Sequence, residues 1–129
     1  MSDDDTDWSD WIRIAEHKNY DTELIDDCGP ACYELGLLRK GSWFGSVEEM
    51  YIGETCNLRA RATAYGRDGS HLYEIIHSHL KRGYDLYIRY VLFHSKEDAK
   101  EFQDEMLDEY DYDWNIQRNC NSEFDDEEE

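Results

Sequence analysis

Three side chains in this 129-residue chain, Tyr33, Tyr51 and Arg61, have the types and spacing that phosphate chemistry needs. Tyr33 and Tyr51 each sit in an apolar run. Two tyrosines on adjacent strands can present their hydroxyls at one end of a hairpin, where a phenol beside a cation positions or deprotonates a water. Arg61 offers a rigid planar fork to the extra charge of a pentacovalent phosphate. A carboxylate on a later helix would complete such a set by holding one divalent metal, which shields the scissile phosphate and the leaving oxygen. A plainer reading stands beside this one. Tyrosines are often half-buried core aromatics with solvated hydroxyls, and Arg61 can simply pair with an acidic surface neighbour. Other constellations are weaker. Cys28, Cys32, Cys56 and Cys120 form no CxxC pair, so a zinc site is not expected and reduced thiols are. His77 and His79 are two apart on a helix and do not share a face, so these two and His71 read as ordinary surface positions.

The elements that must position these residues can be read along the chain. Residues 1–10 form an acidic tail. Trp8, Trp11, Ile12, Ile14 and Ala15 suit a short amphipathic helix opening after Ser9 or Asp10. The turn Asp26–Pro30 precedes a strand at 31–39. A loop with glycines at 41 and 45 leads to a second strand at 49–54, which makes an antiparallel hairpin. Asn57 reads as N-cap of a helix Leu58–Tyr65 that stops at Gly66. Ser70 caps a second helix, His71–Arg82, with Leu72, Ile75, Ile76 and Leu80 on one face. The aromatic and β-branched run at 85–94 is the strongest strand. Ser95 with Asp98 marks the start of a last helix, Lys96–Tyr110. The order is β-β-α-α-β-α, and the class is α+β: a three-stranded antiparallel sheet flanked by helices. Residues 1–28 read as an acidic N-terminal extension, 29–117 as the domain and 118–129 as an acidic C-terminal tail.

The formal charge of −19 opposes phosphate binding at first sight. Its distribution changes that. Residues 1–27 sum to −8, residues 28–94 to +1 and residues 95–129 to −12. An acidic shell thus surrounds a nearly neutral centre in which arginines cluster. Such a shell, with five Lys against eight Arg, fits a halophilic protein in concentrated salt. An acidic partner-binding tail and a mimic of DNA are the alternatives. No apolar run approaches the roughly 20 residues of a membrane span, and the start Met1-Ser2-Asp3-Asp4-Asp5 is unlike a signal peptide. A soluble, cytoplasmic protein is expected.

Taken in order, the motifs resemble a known family. Tyr51-Ile52-Gly53 matches the second half of the GIY-YIG nuclease signature, and Ala31-Cys32-Tyr33 keeps the tyrosine of the first half. The stretch from Gly53 to Tyr65, with Asn57-Leu58 opening a helix and Arg61 three residues on, resembles the GIY-YIG domain of bacterial excision-repair endonucleases. The resemblance covers about residues 29–117. It implies a DNA endonuclease using Mg²⁺ or Mn²⁺, with Tyr33, Tyr51, Arg61, Tyr65 and Asn115 as catalytic or bracing residues. Arg59, Arg67, Lys81 and Arg82 would be the bases that meet DNA, a solvated face being the simpler alternative.

One departure bears on activity. The family's metal-binding Glu lies on the last helix, twelve residues before the closing Asn, and that register places Gln103 there. An amide is neutral and holds a hard cation poorly. Asp104 and Glu105 are turned about 100° and 200° away around the helix. Gln103 is either an introduced isosteric replacement or the mark of a natural non-cleaving relative that binds DNA or a protein partner. Glu54 also reverses the charge of the Lys that some relatives carry, and the Tyr33–Tyr51 interval exceeds the family's usual spacing.

Overall fold

The structure is a computed structural model that describes residues 8–41 and 46–115. The eight elements are β1 (Ile12–Glu16), β2 (Asn19–Tyr20), β3 (Ala31–Arg39), β4 (Glu48–Thr55), α1 (Leu58–Tyr65), α2 (Tyr73–Lys81), β5 (Tyr84–Leu92) and α3 (Lys96–Glu109). A single helical turn follows at 113–115. The class is α+β, as expected. The sheet, however, has five antiparallel strands in the order β2-β1-β5-β3-β4 rather than three. Residues 1–7 of the N-terminal tail, the loop residues 42–45 and residues 116–129, with the whole C-terminal tail, lie outside the described residues.

The N-terminal segment accounts for the two additional strands. The helix expected around Trp8–Ala15 is instead β1, which pairs antiparallel with β5 from Ile12↔Ile88 onward. Ile12 and Ile14 are β-branched, and two residues is the strand period. Without β1, the backbone of β5 would be an open edge. β1 turns through Lys18, at φ 73, into β2. Tyr20 then donates a hydrogen bond to the Ala62 carbonyl at 2.6 Å, and Thr22 meets Thr63 at 2.6 Å. These contacts fasten the segment to α1.

β3 is the central strand, buried on both faces over Ala31–Leu37. Alternation along it divides the core. Tyr33, Leu35 and Leu37 join Tyr51, Leu58, Tyr65, Ile76 and Trp114 on the face covered by α1 and α2. Cys32 faces the other way, with Val91 and Ala99 under α3. The capping of α3 is as read from the sequence: the Ser95 side chain accepts from the Asp98 N–H at 3.1 Å. Asn57 takes the N-cap position of α1, but its side chain makes no cap hydrogen bond.

After α3 the chain passes around the outer edge of β4. The side chain of Asn115 accepts from the Ile52 N–H at 2.8 Å and donates to the Ile52 carbonyl at 3.0 Å, copying the two bonds of a neighbouring strand. On the α3 face, Tyr112 donates to Glu34 at 2.6 Å. Glu34 is 1 % exposed in the middle of the sheet and is also held by Arg89, whose guanidinium stacks against Trp8 and Trp11. Burial raises the Glu34 carboxyl above its usual range, against the lowering pull of Tyr112 and Arg89. The folded state therefore holds a proton at Glu34 more tightly than the unfolded chain. The contribution of Glu34 to stability is most favourable below its ordinary value of 4.5 and declines as pH rises through the raised one. The melting-temperature difference between Glu34→Gln and the native chain should accordingly move in favour of Glu34→Gln as pH rises from about 4.5. A pH series of thermal melts on both chains checks this. A flat difference would show that Arg89 and Tyr112 fully offset the burial.

Candidate active site

One end of the sheet, where β3 begins and β4 finishes, carries a cluster of aromatic rings. Tyr33 comes from β3, Tyr51 from β4 and Tyr65 from the last residue of α1. Their ring centroids are mutually 6.0–6.3 Å apart. The Tyr33 and Tyr65 hydroxyls are 2.5 Å apart, and Tyr51 hydrogen-bonds to Tyr65. Arg61 is one helical turn before Tyr65, so both side chains leave the same face of α1. Its guanidinium is close enough for its charge to act on the Tyr33 hydroxyl. Gly53, across from Tyr33 in the strand pairing, makes room for this arrangement. A Cβ there would lie 2.5 Å from the Tyr33 hydroxyl oxygen, and the fully buried ring has no space into which to retreat.

The tyrosines are core aromatics, but their hydroxyls are buried with the rings and not solvated. The rings are core, and their hydroxyls converge beside an arginine. Burial pushes the Tyr33 and Tyr65 phenols well above the usual range, while Arg61 pulls in the opposite direction. At neutral pH both are neutral hydroxyls.

His71 was read from the sequence as an ordinary surface position, and the structure corrects this. The side chain is exposed, but its ring lies 5.9 Å from that of Tyr51 and 5.8 Å from that of Tyr65, at the open side of the cluster. Its place depends on the turn after α1, and only the glycines and Ser70 around that turn hinted at it. The other two histidines are not plain surface residues either. His77 stacks on Tyr20 and Tyr73, and His79 packs against Tyr84 and Trp114.

The four candidate DNA-contacting bases lie on α1, in the turn after it and at the end of α2. Arg59 donates through Nε to the Ile25 carbonyl at 2.8 Å, tying the β2–β3 connection to α1. Arg67 is exposed in the turn just after Tyr65. Lys81 and Arg82 are at the far end of α2, roughly 12 Å along the helix axis from its start near His71, and Arg82 donates to Ser78.

The remaining expected site residues are Asn115, which braces β4 as described, and Gln103. Gln103 is partly buried on α3, with its backbone N–H directed at the sulfur of Cys32. Cys32 itself donates to the Ala99 carbonyl at 2.8 Å. Burial pushes its thiol up to about 12, an effect that the charge of Glu54 increases. Cys32 is thus held as a neutral thiol. Among the described residues no group of three or more His, Cys, Asp or Glu is placed to hold a metal. A separate cleft of about 840 Å³ opens on the α3 face between Trp8, Arg89, Phe102 and Tyr110. Glu34, Glu49, Glu105, Glu109 and Asp111 also line it, which makes it unfit for a phosphate.

Comparison with known proteins agrees with the α+β class. The family model described as GIY-YIG domain-containing protein matches residues 4–127, and the chain belongs to the GIY-YIG family. No curated protein and no solved structure matches it. GIY-YIG proteins are nuclease-type domains. Among the described residues no helix is long and apolar enough to cross a membrane.

Proposed function

We propose that this chain is a DNA endonuclease that hydrolyses phosphodiester bonds with the help of Mg²⁺ or Mn²⁺. The observation that carries this reading is the convergence of the Tyr33, Tyr51 and Tyr65 hydroxyls with Arg61 at one end of the β3–β4 hairpin. Arg61 binds the non-bridging oxygens of the scissile phosphate and faces the charge that grows on them. Tyr33 and Tyr65 hold the guanidinium in place. The Tyr51 hydroxyl orients a water for attack, and His71, exposed beside Tyr51, can take up its proton. A divalent ion, when bound, neutralises charge on the phosphate and the leaving oxygen. Gln103 does not fit the task of holding it, since its amide carries no charge. Any carboxylate for that task has to come from another residue at this end of the sheet.

Gln103 also favours the second reading, a non-catalytic module that binds DNA or a protein partner. Incubating supercoiled plasmid with the full chain, with Gln103→Glu and with either ion separates the two. The endonuclease reading expects nicking by the native chain and faster nicking by Gln103→Glu. Absence of cleavage by both chains, from low salt to about 1 M, where the Debye length has fallen to about 3 Å, replaces it with the binding module.

A further inference from the structure

The cleft of about 840 Å³ on the α3 face is separate from the tyrosine cluster. Glu34, on its floor, follows Tyr33 in β3 and so projects from the opposite side of the sheet. α3 is fully buried only at Ala99, in its first half. Beyond that point Phe102, Glu105, Met106 and Glu109 lie on one face of the helix and form a wall of the cleft. Trp8 and Tyr110 add aromatic rings to the lining. The volume is that of a ligand cleft, for which roughly 300–1,000 Å³ is usual.

The charge of this cleft is unbalanced. Arg89 pairs with Glu34 at 2.8 Å and with Glu49 at 3.5 Å. Glu105, Glu109 and Asp111 also line it and make no ion pair among the described residues. No Lys or Arg occurs from residue 101 to residue 115. A helix carries partial negative charge at its C-terminal end, where cations are favourable and acids are not. The last turn of α3 contains Asp108 and Glu109 but no base. The helix therefore wants a cation where the cleft opens.

The cleft also shows which cation suits it. The Arg89 guanidinium lies 4.6 Å from the Trp8 ring and 4.5 Å from the Trp11 ring, with carboxylates at its nitrogens. Aromatic faces and carboxylates together favour a flat, delocalised cation. Among the described residues no cation stands over Tyr110, which is 53 % exposed and lies between Glu109 and Asp111 in the chain. Glu105 and Glu109 are separated by about 6 Å along the helix axis. Alternate side chains of an extended chain are spaced by roughly 6.6 Å. A segment with basic residues at alternate positions can meet both acids.

From these features we propose that the α3 cleft binds a basic, arginine-bearing segment of a partner protein. The chain's own ends carry the wrong charge: residues 1–7 have four acids and no base, and residues 116–129 have six acids against Arg118. A second copy, at a formal charge of −19, is repelled as well. Binding here requires no cleavage of DNA, since the tyrosine cluster is on the other face.

The experiment titrates the full chain at about 0.15 M salt, where the Debye length is about 8 Å. The probe is an N-acetylated, C-amidated peptide in which arginine and alanine alternate. Chemical shifts of the Trp8 indole N–H and of the Glu105, Glu109 and Tyr110 amides report where it binds. In the native chain these signals should move together, and the peptide should raise the melting temperature. The double variant Glu105→Gln, Glu109→Gln should weaken binding at least tenfold. The double variant Asp68→Asn, Glu74→Gln removes as many exposed acids near α1 and α2 and should bind within twofold of the native chain. It measures what net charge and the acidic tails contribute. Cleft signals that stay still, or equal weakening by the two double variants, overturn the proposal. Spermidine binding as tightly as the peptide overturns it too, in favour of a free polyamine.

Discussion

Asn115→Ala should lower the melting temperature by about 12 °C or more. Asn115 is 4 % exposed and makes both of its hydrogen bonds to one residue, Ile52. Alanine leaves a backbone N–H and a backbone carbonyl unsatisfied in a buried place, at roughly 1–3 kcal/mol for each group. A total of about 3 kcal/mol corresponds to that shift in a domain of this size. Asn115→Asp is the informative companion. Its carboxylate can still accept from the Ile52 N–H, but it turns an oxygen toward the Ile52 carbonyl in place of a donor. Asn115→Asp should therefore be as damaging as alanine at pH 7 and partly recover below about pH 4, where the side chain gains a proton and can donate again. Thermal melts at the two pH values check both. Equal losses at both would show that the shape of the side chain, and not its donor, braces the strand.

Arg61→Ala should separate activity from stability. Removing one group that faces developing phosphate charge lowers turnover by about 10²–10³-fold. The same change removes a charge beside a neutral Tyr33 hydroxyl and should cost only about 1 kcal/mol, as for one polar contact. Arg61→Lys keeps the charge but not the planar fork, and should recover little of the loss. Initial rates of plasmid nicking, set beside thermal melts of the same preparations, show the split. A variant that loses stability in proportion to activity would demote Arg61 to a packing residue.

The elements that hold this site were legible because local and long-range preferences agree. The aromatic and β-branched run of β5, the apolar run of β3 and the Ser95 cap of α3 each point to one structure. The segment containing β1 was not, because Ile12, Ile14 and Ala15 fit a helical stripe as well as a strand. The factor that decides is the unpaired edge of β5, more than seventy residues along the chain. The tyrosines and Arg61 could be found by spacing, since a hairpin and one helix turn bring them together. His71 was missed because its role is a ring contact set by a turn. Glu34 did leave a sign: it is the one acid inside an apolar run that the sheet buries on both sides, and Arg89 stands directly opposite it on β5.

The strand-like grip of Asn115 on β4 also governs how the domain can associate. A sheet recruits another chain through a free edge. On one side that edge is β2, only two residues long. On the other, β4 has the groups of Ile52 already occupied by a side chain of its own chain, so neither end invites a partner strand. Loosening residues 112–115 would free the Ile52 N–H and carbonyl at the β4 edge. The damaged protein should then pair edge to edge, and its first symptom would be dimers and aggregates.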